Sequence, residues 1–88
     1  MKPVRLSAHA AGYLEKRGFT VAEVEETLRG AAWERAELGR LQARRDFEFR
    51  RDWNGECYAA KQVRVVFVEE AAEIVVVTVY TYFIKESE

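Results

Sequence analysis

Ile74-Val75-Val76-Val77-Thr78-Val79-Tyr80-Thr81-Tyr82-Phe83 is the stretch whose reading decides the fold. Val75, Val77, Val79 and Phe83 alternate with Ile74, Val76, Thr78, Tyr80 and Tyr82, a period of two in β-branched and aromatic residues that marks a strand. Apolar residues on both faces place that strand inside a sheet rather than at its edge. One face stays apolar throughout. The other turns polar at Thr78 and Tyr80, which means that it opens toward solvent or a ligand there, or that its hydroxyls are tied up internally.

Working back along the chain, Asn54-Gly55 is the strongest hairpin signal, because both positions of the tight turn need positive φ. Flanking alternation predicts strands over about 45–53 and 57–68, with the last strand over 74–83. A two-residue turn pairs Trp53 with Glu56, Arg51 with Tyr58, Glu48 with Lys61 and Phe47 with Gln62. The odd-length connection from Glu69 to Glu73 then sets Val68 opposite Ile74 and Arg64 opposite Thr78. These registers sort the sheet into an apolar face of Val63, Val65, Phe67, Val75, Val77, Val79 and Phe83, and a mixed face of Phe47, Phe49, Arg51, Tyr58, Arg64, Val66, Thr78, Tyr80 and Tyr82.

Helix signals precede the strands. Ser7 is a suitable N-cap for a helix over about 8–17, with Leu6, Ala10, Tyr13 and Leu14 on one side and Gly18 at its end. Thr20 and Glu23 have capping-box spacing for a second helix over about 20–30, with Val21, Val24 and Leu28 as its buried stripe. Residues 31–43 alternate weakly around Trp33, Ala36 and Leu38, and read as a short strand or an irregular segment. The expected fold is α+β: two N-terminal helices packed on one face of a three- to four-stranded antiparallel sheet, in a single domain over residues 1–88.

With 88 residues the chain buries roughly 60–65% of its unfolded surface. One cysteine, Cys57, allows no internal disulfide, and one histidine with one cysteine is too few for a zinc site. No apolar leader and no run near the ~20 apolar residues of a membrane span is present. The expectation is a soluble cytoplasmic protein with no membrane contact, metal or cofactor. A net charge of −1 speaks against a dedicated non-specific nucleic-acid binder. The distribution is uneven, however: residues 40–64 carry seven basic and four acidic side chains, whereas 65–88 carry one and five. The basic cluster in the middle either meets phosphates or forms a salt-bridged surface.

The ordered segments His9-Ala10, Tyr13-Leu14-Glu15-Lys16-Arg17-Gly18-Phe19-Thr20 and Glu23-Val24, then Val63 to Val68 and Ile74 to Tyr80, resemble the domain-of-unknown-function 4258 family over about residues 5–83. That family is similar in architecture to the small toxin-type ribonucleases grouped with RelE, barnase and colicin nucleases. The resemblance implies two helices on an antiparallel sheet and metal-independent RNA cleavage, with an antitoxin-like protein as a partner.

Cleavage of that kind needs a base for the 2′-hydroxyl, an acid for the leaving 5′-oxygen and donors or cations on the phosphate. His9 is the side chain whose ordinary titration range lies near neutrality. Arg64 is a candidate phosphate ligand, and Thr78 and Tyr80 are candidate hydrogen-bonding groups, making His9, Arg64, Thr78 and Tyr80 the expected catalytic set. Arg17, Arg51 and Lys61 are the expected RNA-phosphate contacts. A mixed face of arginine and tyrosine equally suits a non-catalytic binding or homodimerising domain.

Overall fold

The computed structural model describes residues 1–85. It is α+β, with three helices and a five-stranded mixed sheet, where sequence reading expects two helices and three or four antiparallel strands. In chain order the elements are β1 (Val4–Leu6), α1 (Ala8–Gly12), α2 (Leu14–Arg17), α3 (Val21–Gly30), β2 (Glu34–Arg35), a 3-10 turn (Glu37–Gly39), β3 (Leu41–Trp53), β4 (Glu56–Glu69) and β5 (Ile74–Ile84). The strand order is β1-β5-β4-β3-β2.

The extra strands are short and lie at the two edges. β1 runs parallel to β5, with Val4 beside Ile74 and Leu6 beside Val76. Three residues are too few to show a period, so this pairing has no local signal. It is fixed from outside by Ile74 N–H donating to Pro3 C=O at 2.8 Å and Ser7 N–H donating to Val76 C=O at 2.9 Å. β2 pairs Glu34 with Gln42 and Arg35 with Leu41, turning part of the ambiguous 31–43 segment into strand and extending β3 back to Leu41.

Ser7 serves two elements at once. Its hydroxyl accepts from Ala10 N–H at 3.1 Å, capping α1, and donates to Val77 C=O at 3.0 Å, tying the helix start to β5. The predicted first helix is interrupted at Tyr13, whose φ of −101° and ψ of 1° split it into α1 and α2. Gly18 ends α2 in the left-handed region at φ 68°, and the Thr20–Glu23 capping box is formed. Val21 is exposed rather than buried; Phe19 and Thr27 join Val24 and Leu28 in the interior.

All three helices contribute to a single layer against the sheet. Its core combines Ala10, Phe19, Val24 and Leu28 with Ala43, Val63, Val65, Phe67, Ile74, Val76 and Val79. Trp33 closes one end: its ring meets Phe67 edge-on at 4.9 Å and its indole N–H donates to Leu28 C=O at 2.9 Å.

Two bulges correct the expected registers. The Asn54-Gly55 turn forms with positive φ at both residues, and Trp53–Glu56 and Arg51–Tyr58 pair as expected. Between Arg51 and Glu48 an additional β3 residue is accommodated, with Arg50 at φ 45°, so Lys61 pairs with Phe47 and not with Glu48. On β5, Thr78 pairs with Val66 while Val76 pairs with Phe67, leaving Val77 without an opposite residue. The β4–β5 turn is one residue shorter than expected, so Ile74 lies beside Glu69, not Val68, and turn and bulge together set Arg64 opposite Tyr80, not Thr78.

The Val77 bulge also reverses which residues face inward. Before it, Ile74 and Val76 are buried and Val75 is not; after it, Val79 is buried, as expected. Val75 and Val77 thus leave the apolar face to which alternation assigned them.

Candidate functional site

Across the sheet, on the side away from the helices, the registers build successive rows: Gln42–Val66–Thr78, Arg44–Arg64–Tyr80 and Asp46–Gln62–Tyr82. The 3-10 turn after β2 rises beside the first two rows. Together they enclose a pocket of about 490 Å³ bordered by Arg35, Glu37, Leu38, Arg40, Gln42, Arg64, Thr78 and Tyr80.

Arg64 lies at the centre of this arrangement. Its guanidinium carbon is 4.8 Å from the Tyr80 ring centre, and its Nε is buried with no hydrogen-bond partner. A buried unpartnered N–H costs roughly 1–3 kcal/mol, and the terminal guanidinium nitrogens, which have no hydrogen-bond partner among the described residues, are the donors open to an anion in the pocket. Among the described residues, neither Arg35 nor Arg40 forms an ion pair, so three guanidinium groups border one cavity without matching carboxylates. Glu37 is the single carboxylate of the lining.

A ladder of rings and cations leads from this pocket to α1. Arg17 lies 5.1 Å from the Tyr80 ring and 4.1 Å from the Tyr13 ring, and Tyr13 is 4.9 Å from the His9 imidazole. Arg17 is held at the sheet edge by donating to Thr78 Oγ1 at 3.1 Å and Val79 C=O at 2.9 Å. The helical i, i+4, i+8 spacing expected for His9, Tyr13 and Arg17 thus survives the break at Tyr13 as one continuous stack.

Of the residues expected to form the site, Arg64, Thr78 and Tyr80 line the pocket, and Arg17 lies outside it against Thr78 and Tyr80. His9 lies at the outer end of the ladder, separated from Arg64 by Tyr13, Arg17 and Tyr80. Lys61 is elsewhere: it is 3% exposed on the helix side, donating to Gly18 C=O at 2.9 Å and pairing with Glu23 at 2.8 Å. Its ammonium is thereby committed to the interior.

Arg51 is also removed from the site. Its guanidinium covers Phe49 at 4.7 Å, within an aromatic group in which Trp53, Phe49 and Tyr58 surround Phe83. Phe47, Phe49 and Tyr58 therefore belong to packing around Lys61 and Phe83 instead of the mixed face. Tyr58 donates to Glu56, which pushes its phenol pKa up, while Lys85 and Tyr58 draw the Glu56 carboxyl below its ordinary range.

Sequence reading missed Arg35, Glu37 and Gln42, and had Arg40 only as a member of the basic 40–64 cluster; all four come from the 31–44 segment that alternation left undefined. A run containing Arg35, Glu37 and Arg40 beside Gly39 carried a composition signal, but no periodicity to place it.

Among the described residues, no helix is long and apolar enough to cross a membrane. Comparison with protein-family models, with curated proteins and with solved structures finds no match for this chain, so the resemblance read from its motifs rests on those residues alone.

Proposed function

We propose that the chain binds single-stranded RNA on the open face of its sheet and cleaves it there without a metal ion. The observation that carries this reading is Arg64, whose guanidinium lines a pocket flanked by Arg35 and Arg40 with no hydrogen-bond or ion-pair partner among the described residues. Guanidinium groups take phosphate oxygens in pairs, and the exposed Tyr80 ring offers a surface for a base. The likeness to the domain-of-unknown-function 4258 family and to toxin-type ribonucleases points the same way.

In this reading Arg64, Arg35 and Arg40 hold the scissile phosphate and stabilise the charge that builds on it. Glu37 takes the proton of the 2′-hydroxyl, whose oxygen bonds to phosphorus as the bond to the 5′-oxygen breaks. Tyr80 hydroxyl protonates that leaving oxygen, and Thr78 hydroxyl orients the phosphate. The products are a 2′,3′-cyclic phosphate and a 5′-hydroxyl end. His9 lies three side chains from Arg64, beyond hydrogen-bond reach of the phosphate, and takes no part in this step.

Incubation of the protein with a single-stranded RNA in excess EDTA is expected to give those two kinds of ends. Tyr80→Phe is expected to lose cleavage and His9→Ala to retain it. Intact RNA at stoichiometric protein would overturn the catalytic reading.

A second reading draws on the exposed apolar residues beside the pocket, Leu38, Tyr82 and Ile84. These suit a non-catalytic face covered by a protein partner, such as an antitoxin-like chain. Its signature is tight protein binding that Arg64→Gln weakens, together with RNA left uncut.

A further inference from the structure

The geometry points to a second interaction surface, which shares Tyr80 with the pocket: the outer edge of β5 beyond Val79, where two copies of this chain join by antiparallel strand pairing. β1 covers β5 only from Ile74 to Val76. Past that point the outward carbonyls are taken one at a time, Val77 by the Ser7 hydroxyl and Val79 by Arg17. Alternation turns the N–H and C=O groups of Thr81 and Phe83 outward as well. Among the described residues, nothing hydrogen-bonds to those outward groups.

The two long strand edges of the sheet are treated differently. β3 carries Arg44, Arg45, Asp46, Glu48, Arg50, Arg51 and Asp52, a density of charge that discourages strand addition. β5 has no charged residue between Glu73 and Lys85. An uncharged strand with open backbone groups is a template for another strand.

The side chains identify a second copy as the occupant. Tyr80, Tyr82 and Ile84 are 36%, 46% and 42% exposed and lie at every second position of the edge. A two-fold axis through Tyr82 sets Thr81 of one chain against Phe83 of the other, so that all four outward backbone groups of each pair can bond. The same axis brings Tyr82 against Tyr82 and Ile84 against Tyr80, covering each exposed ring with another apolar side chain. The pairing sets Lys85 opposite Val79, whose carbonyl Arg17 holds, with Glu56 as the counter-ion of Lys85 at each end of the contact. It joins two five-stranded sheets into one of ten strands with both pockets on the same face, and Ile84 of the second copy lies over Tyr80 at the rim of each. A contact of this size is a small one, and fits a reversible dimer.

Sedimentation velocity from low micromolar to millimolar protein is the test, with Tyr82→Lys and Glu48→Lys compared. The native chain is expected to shift from monomer to dimer with concentration. Tyr82→Lys sets two lysines face to face across the axis and is expected to stay monomeric with an unchanged melting temperature, whereas Glu48→Lys on the β3 edge dimerises normally. In a Cys57→Ser background, Tyr82→Cys is expected to form a disulfide-linked dimer on mild oxidation. A native chain that is monomeric throughout, or a dimer that Tyr82→Lys leaves intact, would overturn the proposal.

Discussion

At the scale of single residues, Lys61 and Leu38 show how context overrides residue type. A lysine in a basic stretch reads as a phosphate ligand, yet Lys61 lies in the interior, where Glu23 answers its charge while also capping α3 through Thr20 N–H at 2.9 Å. Removing one partner of a buried pair strands the other, so Lys61→Ala is expected to cost about 3–5 kcal/mol, measured by denaturant unfolding. Alternation from Val63 does set Lys61 on the apolar face, but its residue type reads as surface charge, and the Glu23 that answers it comes from a helix that the strand pattern does not place. Leu38 presents the opposite case. It is 84% exposed and holds φ 60°, a left-handed conformation that leucine adopts at a cost of about 1 kcal/mol or more. Leu38→Asn is therefore expected to raise stability by about 1 kcal/mol, since asparagine tolerates that region. If Leu38 contacts a bound base at the pocket rim, the same variant weakens RNA binding while the melting temperature rises, two changes of opposite sign.

At the scale of elements, helix caps and the hairpin turn were legible because each rests on a local backbone requirement. Ser7, the Thr20–Glu23 box, Gly18 and Asn54-Gly55 all stand where their chemistry asks. Gly18 has a second constraint that sequence does not carry. A Cβ there would lie 2.7 Å from the Trp53 ring, so Gly18→Ala is expected to lose about 1–2 kcal/mol for the positive φ and more for displacing the indole, read as a lower melting temperature with altered tryptophan fluorescence. Registers were not legible past the bulges at Arg50 and Val77, since neither residue is a glycine or asparagine that would announce one. Nor was β1 visible, being held by its partners. Its clasp includes Arg5 Nε donating to Glu73 at 3.0 Å, which lowers the Glu73 carboxyl pKa below its ordinary value. A carboxyl lowered by folding stabilises the folded state above its unfolded pKa and loses that contribution as pH falls through the folded value. Hydrogen exchange at Ser7 and Ile74, whose N–H groups bond across the β1–β5 pair, corrected for intrinsic rates, is expected to accelerate on acidification, and Glu73→Gln is expected to remove that dependence.

At the scale of the whole molecule, a net charge of −1 conceals a polarised object. Acidic groups gather near β1 and the β4–β5 turn, where Glu69 and Glu73 pair with Lys2 and Arg5, whereas Arg35, Arg40 and Arg64 collect around one pocket without such partners. Half of that pocket was readable: Arg64, Thr78 and Tyr80 share a face that follows from strand alternation. The other half, Arg35, Glu37 and Arg40, comes from an irregular segment whose position is set by β2 pairing and by Trp33 against Phe67. The Glu37–Arg64–Tyr80 arrangement is what the proposed chemistry depends on. The most direct measurement is the cleavage rate of single-stranded RNA in EDTA by native protein and by Arg64→Gln, both shown to be folded by circular dichroism. Loss of a donor to developing charge costs about 10²-fold or more in rate, and a drop of that size with products ending in 2′,3′-cyclic phosphate is the expected result. Equal rates for the two proteins, or RNA left intact by both, would contradict the account.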